Sequence, residues 1–234
     1  MQRFFALYVF LLLSTLLPTH TVVFADDTDL PPEKPVILVW GDSLSAAYGI
    51  PVEQGWVSLL RERVQETHDV VNGSISGETT VGGLTRLPDA LALHEPDYVL
   101  LELGANDGLR GLPTERMQKN LSEMIDLALE AKAKPVLLGI KIPPNYGMAY
   151  TDKFDQVFSD LAAEYEIPLL PFLLEGVAED FDLMQEDGLH PTAEAQPQIL
   201  AHVWEVLEPV LSAEKQLAEG NATVSTEPVA AGQH

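Results

Sequence analysis

The stretch VILVWGDSLSAAYG, residues 36–49, joins an unbroken run of apolar residues to a glycine and then to a segment with two serines. An apolar run without polar alternation is typical of a strand that is buried on both faces of a sheet. Gly41 ends the run, and Ser43 and Ser45 follow it. Taken alone, the stretch predicts a strand and a turn, in which either serine could be a nucleophile or a polar capping residue.

Four further apolar runs follow along the chain, at residues 70–75, 98–103, 135–140 and 167–172. The segments between them place apolar residues three and four positions apart, as in Trp56, Leu59, Leu60 and Val64. Strands that alternate with helices predict a parallel sheet, and right-handed crossovers leave few topologies. We therefore expect an α/β fold: a three-layer α/β/α sandwich with a five-stranded parallel sheet of flavodoxin-like strand order.

The two ends of the chain differ in composition from this domain. Arg3 precedes an apolar run at residues 4–17, which is short for a membrane span, and Val23-Phe24-Ala25 suits signal peptidase. We predict a signal peptide at residues 1–25, with an uncleaved anchor as the alternative, and a polar lead-in at residues 26–35. The domain covers residues 36–211, and residues 212–234 are predicted to be a disordered acidic tail. Cleavage after Ala25 predicts a periplasmic or secreted protein without a stable membrane anchor.

The overall composition excludes several classes of function. The 13 lysines and arginines against 36 aspartates and glutamates give a formal net charge of −23, which repels nucleic acid. The chain has no cysteine, so disulfides, thiolate metal sites and a cysteine nucleophile are excluded. The sequence does not determine the oligomeric state, and a monomer is plausible.

Polar, glycine-rich segments follow the five apolar runs. Open parallel sheets place their ligand sites at the carboxyl ends of the strands, so these segments predict a site at one edge of the sheet. They are Gly41-Asp42-Ser43, Ser76-Gly77-Glu78-Thr79-Thr80, Gly104-Ala105-Asn106-Asp107-Gly108, Pro143-Pro144-Asn145-Tyr146-Gly147 and Asp187-Gly188-Leu189-His190-Pro191.

Nucleophilic catalysis by a hydroxyl group needs a base and a group that orients the base. His190 is the candidate base because His68 and His94 fall at helix ends and His202 falls on the last helix. Asp187, three residues before His190, could orient the imidazole, which exchanges a proton close to neutral pH. The alternative for this segment is an aspartate that caps a turn.

An oxyanion hole would need hydrogen-bond donors beside Ser43. The candidates are the backbone N–H groups of Ser43 and Gly77 and the side-chain amide of Asn106. Gly77 alone is most simply a turn glycine and Asn106 a turn residue. We interpret Asp42 and Asp107 as turn and capping residues because neither is paired with a loop histidine.

Four of these segments, in this order, closely resemble the SGNH (GDSL-type) hydrolases, and most of all the exported thioesterase I, arylesterase and lysophospholipase L1 group. The segments are Gly41-Asp42-Ser43-Leu44-Ser45, residues 75–80, residues 103–111 and residues 187–191. In this resemblance Ser43 corresponds to the nucleophile, Gly77 and Asn106 to oxyanion-hole residues, and Asp187 and His190 to the acid and base of the triad. The likeness covers about residues 35–211, and Ala105 stands where relatives often have glycine.

The resemblance implies an exported serine esterase or thioesterase that acts on small acyl esters or thioesters of the acyl-CoA, aryl ester or lysophospholipid type. It implies a reaction through an acyl-enzyme, without a metal or a cofactor. We expect the acyl chain to lie between residues 109–113 and 142–148, with Leu109, Pro143 and Tyr146 as candidate substrate contacts. The alternatives are a carbohydrate O-deacetylase of the same superfamily and a non-catalytic exported binding module.

Overall fold

The computed structural model describes residues 34–224 of the chain, and the side chains of residues 34–213. The predicted signal peptide and almost all of the lead-in lie outside these residues. Within them, five parallel strands form one sheet in the order β2-β1-β3-β4-β5. The strands are β1 (Val36–Gly41), β2 (Asp69–Asn72), β3 (Tyr98–Glu102), β4 (Lys134–Leu138) and β5 (Leu169–Leu170).

Helices connect the strands and pack in two groups. They are α1 (Trp56–Val64), α2 (Thr80–His94), α3 (Ala105–Leu109), α4 (Thr114–Glu130), α5 (Met148–Tyr165) and α6 (Gln196–Val224). Helix α1 packs against α6, and α4 packs against both α2 and α5. Because every residue of β3 is buried, the central strands are covered on both faces. The α/β/α sandwich and the five-stranded parallel sheet are confirmed.

The register of the two central strands positions the functional segments. Strand β1 pairs with β3 so that Gly41 lies opposite Glu102. The segment that follows β1 therefore starts beside the segment that follows β3, where the short helix α3 begins at Ala105. We call residues 41–49 the nucleophile turn.

Strands β2 and β5 are shorter than predicted by two residues or more, for local reasons. Strand β2 ends at Asn72, whose side-chain amide donates to the Ser45 carbonyl and whose Oδ1 accepts from the backbone N–H of Ser74. Strand β5 has two residues because Pro168 and Pro171 flank it, and proline has no N–H to donate to a neighbouring strand.

The end of the chain differs from the predicted tail. Helix α6 continues to Val224, so residues 212–224 have helical backbone where we expected disorder. Ala, Glu, Lys, Gln and Leu dominate residues 213–218, and these residues favour helix even without an apolar face. Residues 225–234 lie outside the described part. Among the described helices, none is long and apolar enough to cross a membrane.

Candidate active site

Ser43 lies in the nucleophile turn, immediately past the edge of the sheet. The turn is closed by the backbone N–H of Ala46, which donates to the Asp42 carbonyl at 3.0 Å, and that of Tyr48, which donates to the Ser43 carbonyl at 3.2 Å. Asp42 is buried, and its Oδ1 accepts from the backbone N–H of Leu44 at 3.1 Å. Asp42 thus stabilises the turn, as we expected. Ser43 is partly exposed at the rim of the sheet.

The His190 ring stands between Ser43 and Asp187. Its Nε2 lies 2.8 Å from Ser43 Oγ, and its Nδ1 lies 2.6 Å from Asp187 Oδ2. A carboxylate can only accept, so Nδ1 carries the ring proton and Nε2 is left to accept from the serine hydroxyl. The structure thus brings together three side chains from segments that the sequence separates by 147 residues.

Asp187 is ionised at neutral pH. Partial burial acts to raise its pKa, but hydrogen bonds from the His190 ring and from the backbone N–H groups of Leu189 and His190 hold the pKa below its ordinary value. An ionised carboxylate at this position stabilises a protonated imidazole. We call residues 183–192, which carry both side chains, the base loop.

The three predicted oxyanion donors belong to residues on one cavity wall. Ser43, Gly77 and Asn106 line the same cavity as His190. Gly77 has a φ of +79°, a conformation that favours glycine, and the Arg110 guanidinium donates to its carbonyl at 3.0 Å. Asn106 Nδ2 donates to Asp42 Oδ2 at 3.1 Å. Because an amide nitrogen carries two hydrogens, this bond orients the amide and leaves its second hydrogen for a ligand.

A fully buried glutamate beneath the nucleophile turn was not singled out in the sequence. Glu102 Oε2 accepts from Ser45 Oγ at 2.7 Å and from the backbone N–H of Asp42 at 3.2 Å. Ser45 is therefore not a capping residue but a buried donor to Glu102. The only sequence signal was one acidic residue inside an apolar run. Another buried acid, Asp107, accepts from the backbone N–H and Oγ1 of Thr80, so it fixes the start of α2 as expected for a capping residue.

Burial changes the protonation of Asp42 in the nucleophile turn and of Glu102 beneath it. It raises the pKa of Asp42 to about 6, against the lowering effect of the hydrogen bonds from Leu44 and Asn106. Burial, and then the neighbouring Asp42 carboxylate, raise the pKa of Glu102 well above its ordinary value. Both buried carboxyl groups therefore keep a proton at a higher pH than an exposed carboxyl group does.

We expect Glu102→Gln to become more stable relative to the wild type as pH rises above about 4.3, the ordinary pKa of glutamate. Between that pH and the raised pKa, wild-type Glu102 keeps its proton when folded but loses it when unfolded, so the native state binds more protons. The free energy of unfolding of the wild type then falls by up to about 1.4 kcal/mol per pH unit. The variant has no proton at this position, so its free energy of unfolding does not show this fall. Urea unfolding at pH 5, 6, 7 and 8 measures this difference, and a constant difference would contradict the prediction.

A cavity of about 400 Å³ opens in front of Ser43. Its apolar wall consists of Leu44, Leu109, Ile140, Ile142, Pro143, Leu174 and Leu189. Leu109 and Pro143, two of the predicted substrate contacts, line this cavity. Tyr146 does not line the cavity. Its hydroxyl donates to the Leu109 carbonyl at 2.8 Å, and this bond holds in place the segment that carries Leu109. Among the side chains that the structure describes, no three of His, Cys, Asp or Glu are grouped to hold a metal.

Comparison with known proteins is consistent with this geometry. The model of the "GDSL-like Lipase/Acylhydrolase family" matches residues 39–196. The chain is 49% identical to "Esterase TesA" of Pseudomonas aeruginosa over 75% of its length and 89% of that protein. It is 49% identical to "Arylesterase" of Vibrio mimicus, over 71% of this chain and 85% of that protein. It is 42% identical to "Thioesterase 1/protease 1/lysophospholipase L1" of Escherichia coli, over 75% of this chain and 85% of that protein.

One solved structure in this comparison carries an inhibitor. The crystal structure of the psychrotrophic esterase EstA from Pseudoalteromonas sp., inhibited by monoethylphosphonate, superposes with a TM-score of 0.73. The two chains are 42% identical, and the match covers 76% of this chain and 100% of that one.

Proposed function

Because the chain belongs to the GDSL-like lipase/acylhydrolase family and is a hydrolase of ester and thioester bonds, we propose that Ser43, His190 and Asp187 form its catalytic triad. The observation that carries this proposal is the continuous chain of hydrogen bonds from Ser43 Oγ through His190 to Asp187, which opens on an apolar cavity. Phosphonate inhibition of the EstA relative is consistent with an acyl-transfer mechanism of this kind.

The reaction follows from the positions of these groups. His190 takes the proton of Ser43 Oγ as that oxygen bonds to the acyl carbon, and Asp187 stabilises the imidazolium that results. The backbone N–H groups of Ser43 and Gly77 and the Asn106 amide donate to the oxyanion of the tetrahedral intermediate. The intermediate collapses, the bond to the leaving oxygen or sulfur breaks, and His190 gives that atom its proton. Water, deprotonated by His190, then cleaves the acyl-enzyme and regenerates Ser43.

The cavity supports an acyl substrate with an aliphatic chain. Most of its wall is built of aliphatic side chains, and its polar lining residues include Ser43, Asn106 and His190. A hydrocarbon chain that leaves water for such a wall gains about 0.8 kcal/mol for each buried methylene group. We infer that Leu109 and Pro143 contact the chain and that Tyr146 acts indirectly, by holding the Leu109 carbonyl. Small-molecule aryl esters, acyl thioesters and lysophospholipids all present such a chain.

A panel of p-nitrophenyl esters and acyl-CoA thioesters from C2 to C16 tests the substrate class. We expect Leu109→Ala to lower kcat/KM for the preferred long chain by roughly 10-fold and to leave the acetyl ester nearly unchanged, because only the long chain reaches this wall. Leu93→Ala, an exposed leucine in α2, is the matched control and should not change the profile. An unchanged chain-length profile in Leu109→Ala would refute the assignment. Turnover of acetyl esters alone by the wild type would favour the O-deacetylase alternative.

We also propose that the enzyme is exported to the periplasm or medium. The support is the N-terminal sequence, with Arg3, the apolar run at residues 4–17 and Val23-Phe24-Ala25 before two aspartates. Mass spectrometry of the mature protein should find Asp26 at its N-terminus; a mature chain that retains residues 1–25 would contradict cleavage.

A further inference from the structure

The nucleophile turn and the base loop must be held together for Ser43 to reach His190. A single hydrogen bond of 2.8 Å between two partly buried side chains is a weak constraint on two surface segments, since one such bond contributes little net free energy. Other contacts between the two segments therefore decide how constant the distance from Ser43 Oγ to His190 Nε2 is.

Gln185 makes the most direct of these contacts. Its Nε2 donates to the Tyr48 carbonyl in the nucleophile turn at 2.8 Å and to the Pro191 carbonyl in the base loop at 2.9 Å. Both amide hydrogens are thus used, one for each segment. Its backbone N–H also donates to the His190 carbonyl at 2.8 Å, which ties it directly to the proposed base.

These bonds close a ring that contains the proposed nucleophile and base. The backbone N–H of Tyr48, whose carbonyl Gln185 binds, donates to the Ser43 carbonyl. Ser43 Oγ then bonds to His190 Nε2, and the His190 carbonyl accepts from the backbone N–H of Gln185, which completes the closed path of hydrogen bonds. In addition, the Tyr48 ring lies against the His190 ring, with 4.4 Å between centroids. Moving the Gln185 amide would therefore move both sides of the Ser43–His190 contact.

Gly49 lies against the Gln185 amide. Gly49 has a φ of +75°, and a Cβ on it would stand 2.2 Å from Gln185 Oε1 and 3.0 Å from Cδ. A side chain at this position would collide with the amide in its present place, so the glycine leaves room for it beside the Tyr48 carbonyl. The half-buried side chain is thus fitted between two backbone segments rather than extended into solvent.

We propose that Gln185 is a positioning residue that holds the nucleophile turn against the base loop and so sets the distance between Ser43 Oγ and His190 Nε2. This inference rests on the proposed function, because it assumes that proton transfer between these two atoms is catalytic. Gln185 contacts no reacting atom; it acts through Tyr48 and Pro191.

Two substitutions of similar size remove the donors. Gln185→Leu and Gln185→Glu both lack Nε2–H, and we expect each to lower kcat for p-nitrophenyl butyrate by roughly 10- to 100-fold, because small misplacements of catalytic groups are costly. KM should stay within about twofold, since the cavity wall is not changed. Gln198→Leu is the matched control: it removes a bond from a glutamine side chain to the Glu175 carbonyl and should retain the wild-type kcat.

A double-mutant cycle with His190→Ala separates positioning from a general loss of structure. In the His190→Ala background the residual activity no longer depends on the distance between Ser43 and the imidazole, so adding Gln185→Leu should cause no further loss. An equal loss in both backgrounds, or a wild-type kcat in both Gln185 variants, would overturn the inference. If His190→Ala itself kept the wild-type turnover, the proposed function would fail instead, which is a different result.

Discussion

Ser43→Ala should lower the kcat for p-nitrophenyl butyrate by roughly 10⁴- to 10⁶-fold, the range found when the nucleophile of a catalytic triad is removed. The reason is that the variant cannot form the acyl-enzyme, while the remaining groups still bind the ester and stabilise an oxyanion. The loss should appear in kcat with little change in the substrate dissociation constant. Thermal unfolding should be nearly unchanged, because Ser43 is partly exposed and bonds only to His190 through its hydroxyl.

A fluorophosphonate probe distinguishes the two serines of the nucleophile turn. Mass spectrometry should find the label on Ser43 in the wild type and no label in Ser43→Ala. Ser45→Ala is the matched control: it removes a buried hydroxyl that donates to Glu102 and leaves Ser43 available, so it should still be labelled. Near-wild-type turnover by Ser43→Ala would disprove the mechanism.

Asn106→Ala should lower kcat by roughly 10²- to 10³-fold, the usual cost of one oxyanion-hole donor. KM should change less, because the donor interacts more strongly with the oxyanion than with the neutral carbonyl of the substrate. Steady-state kinetics on the same ester measures both parameters. A kcat within twofold of the wild type would remove Asn106 from the oxyanion hole.

Asp42→Asn tests how the Asn106 amide is oriented. The Asp42 carboxylate accepts from both Leu44 N–H and Asn106 Nδ2. An asparagine at residue 42 would turn its own NH₂ toward Asn106 if it kept the bond to Leu44, and two donors would then face each other. We expect the Asn106 amide to rotate and a large part of the kcat loss of Asn106→Ala to follow. In the Asn106→Ala background, Asp42→Asn should add little; a full additional loss would mean that Asp42 acts by another route.

The triad and oxyanion residues could be proposed from the sequence because each follows a recognisable strand. Ser43 comes two residues after Gly41, where β1 ends, and of the histidines that the structure describes only His190 lies in a loop at the carboxyl edge of the sheet. Pro143 and Leu109 could be placed near the cavity for the same reason. Tyr146 could not, because whether a side chain lines a cavity or holds its wall depends on where its hydroxyl finds an acceptor.

The sequence by itself determined the layered α/β fold and the edge at which the site lies. Apolar runs and helical spacing are local properties, and the chain order of strands and helices leaves few ways to cover both faces of a sheet. Only the tertiary structure decided that Glu102 would lie under Ser45 and that Gln185 would reach Tyr48. These partners are 57 and 137 residues apart in the chain. Their contacts depend on the strand order and on the register of Gly41 opposite Glu102, which no local pattern specifies.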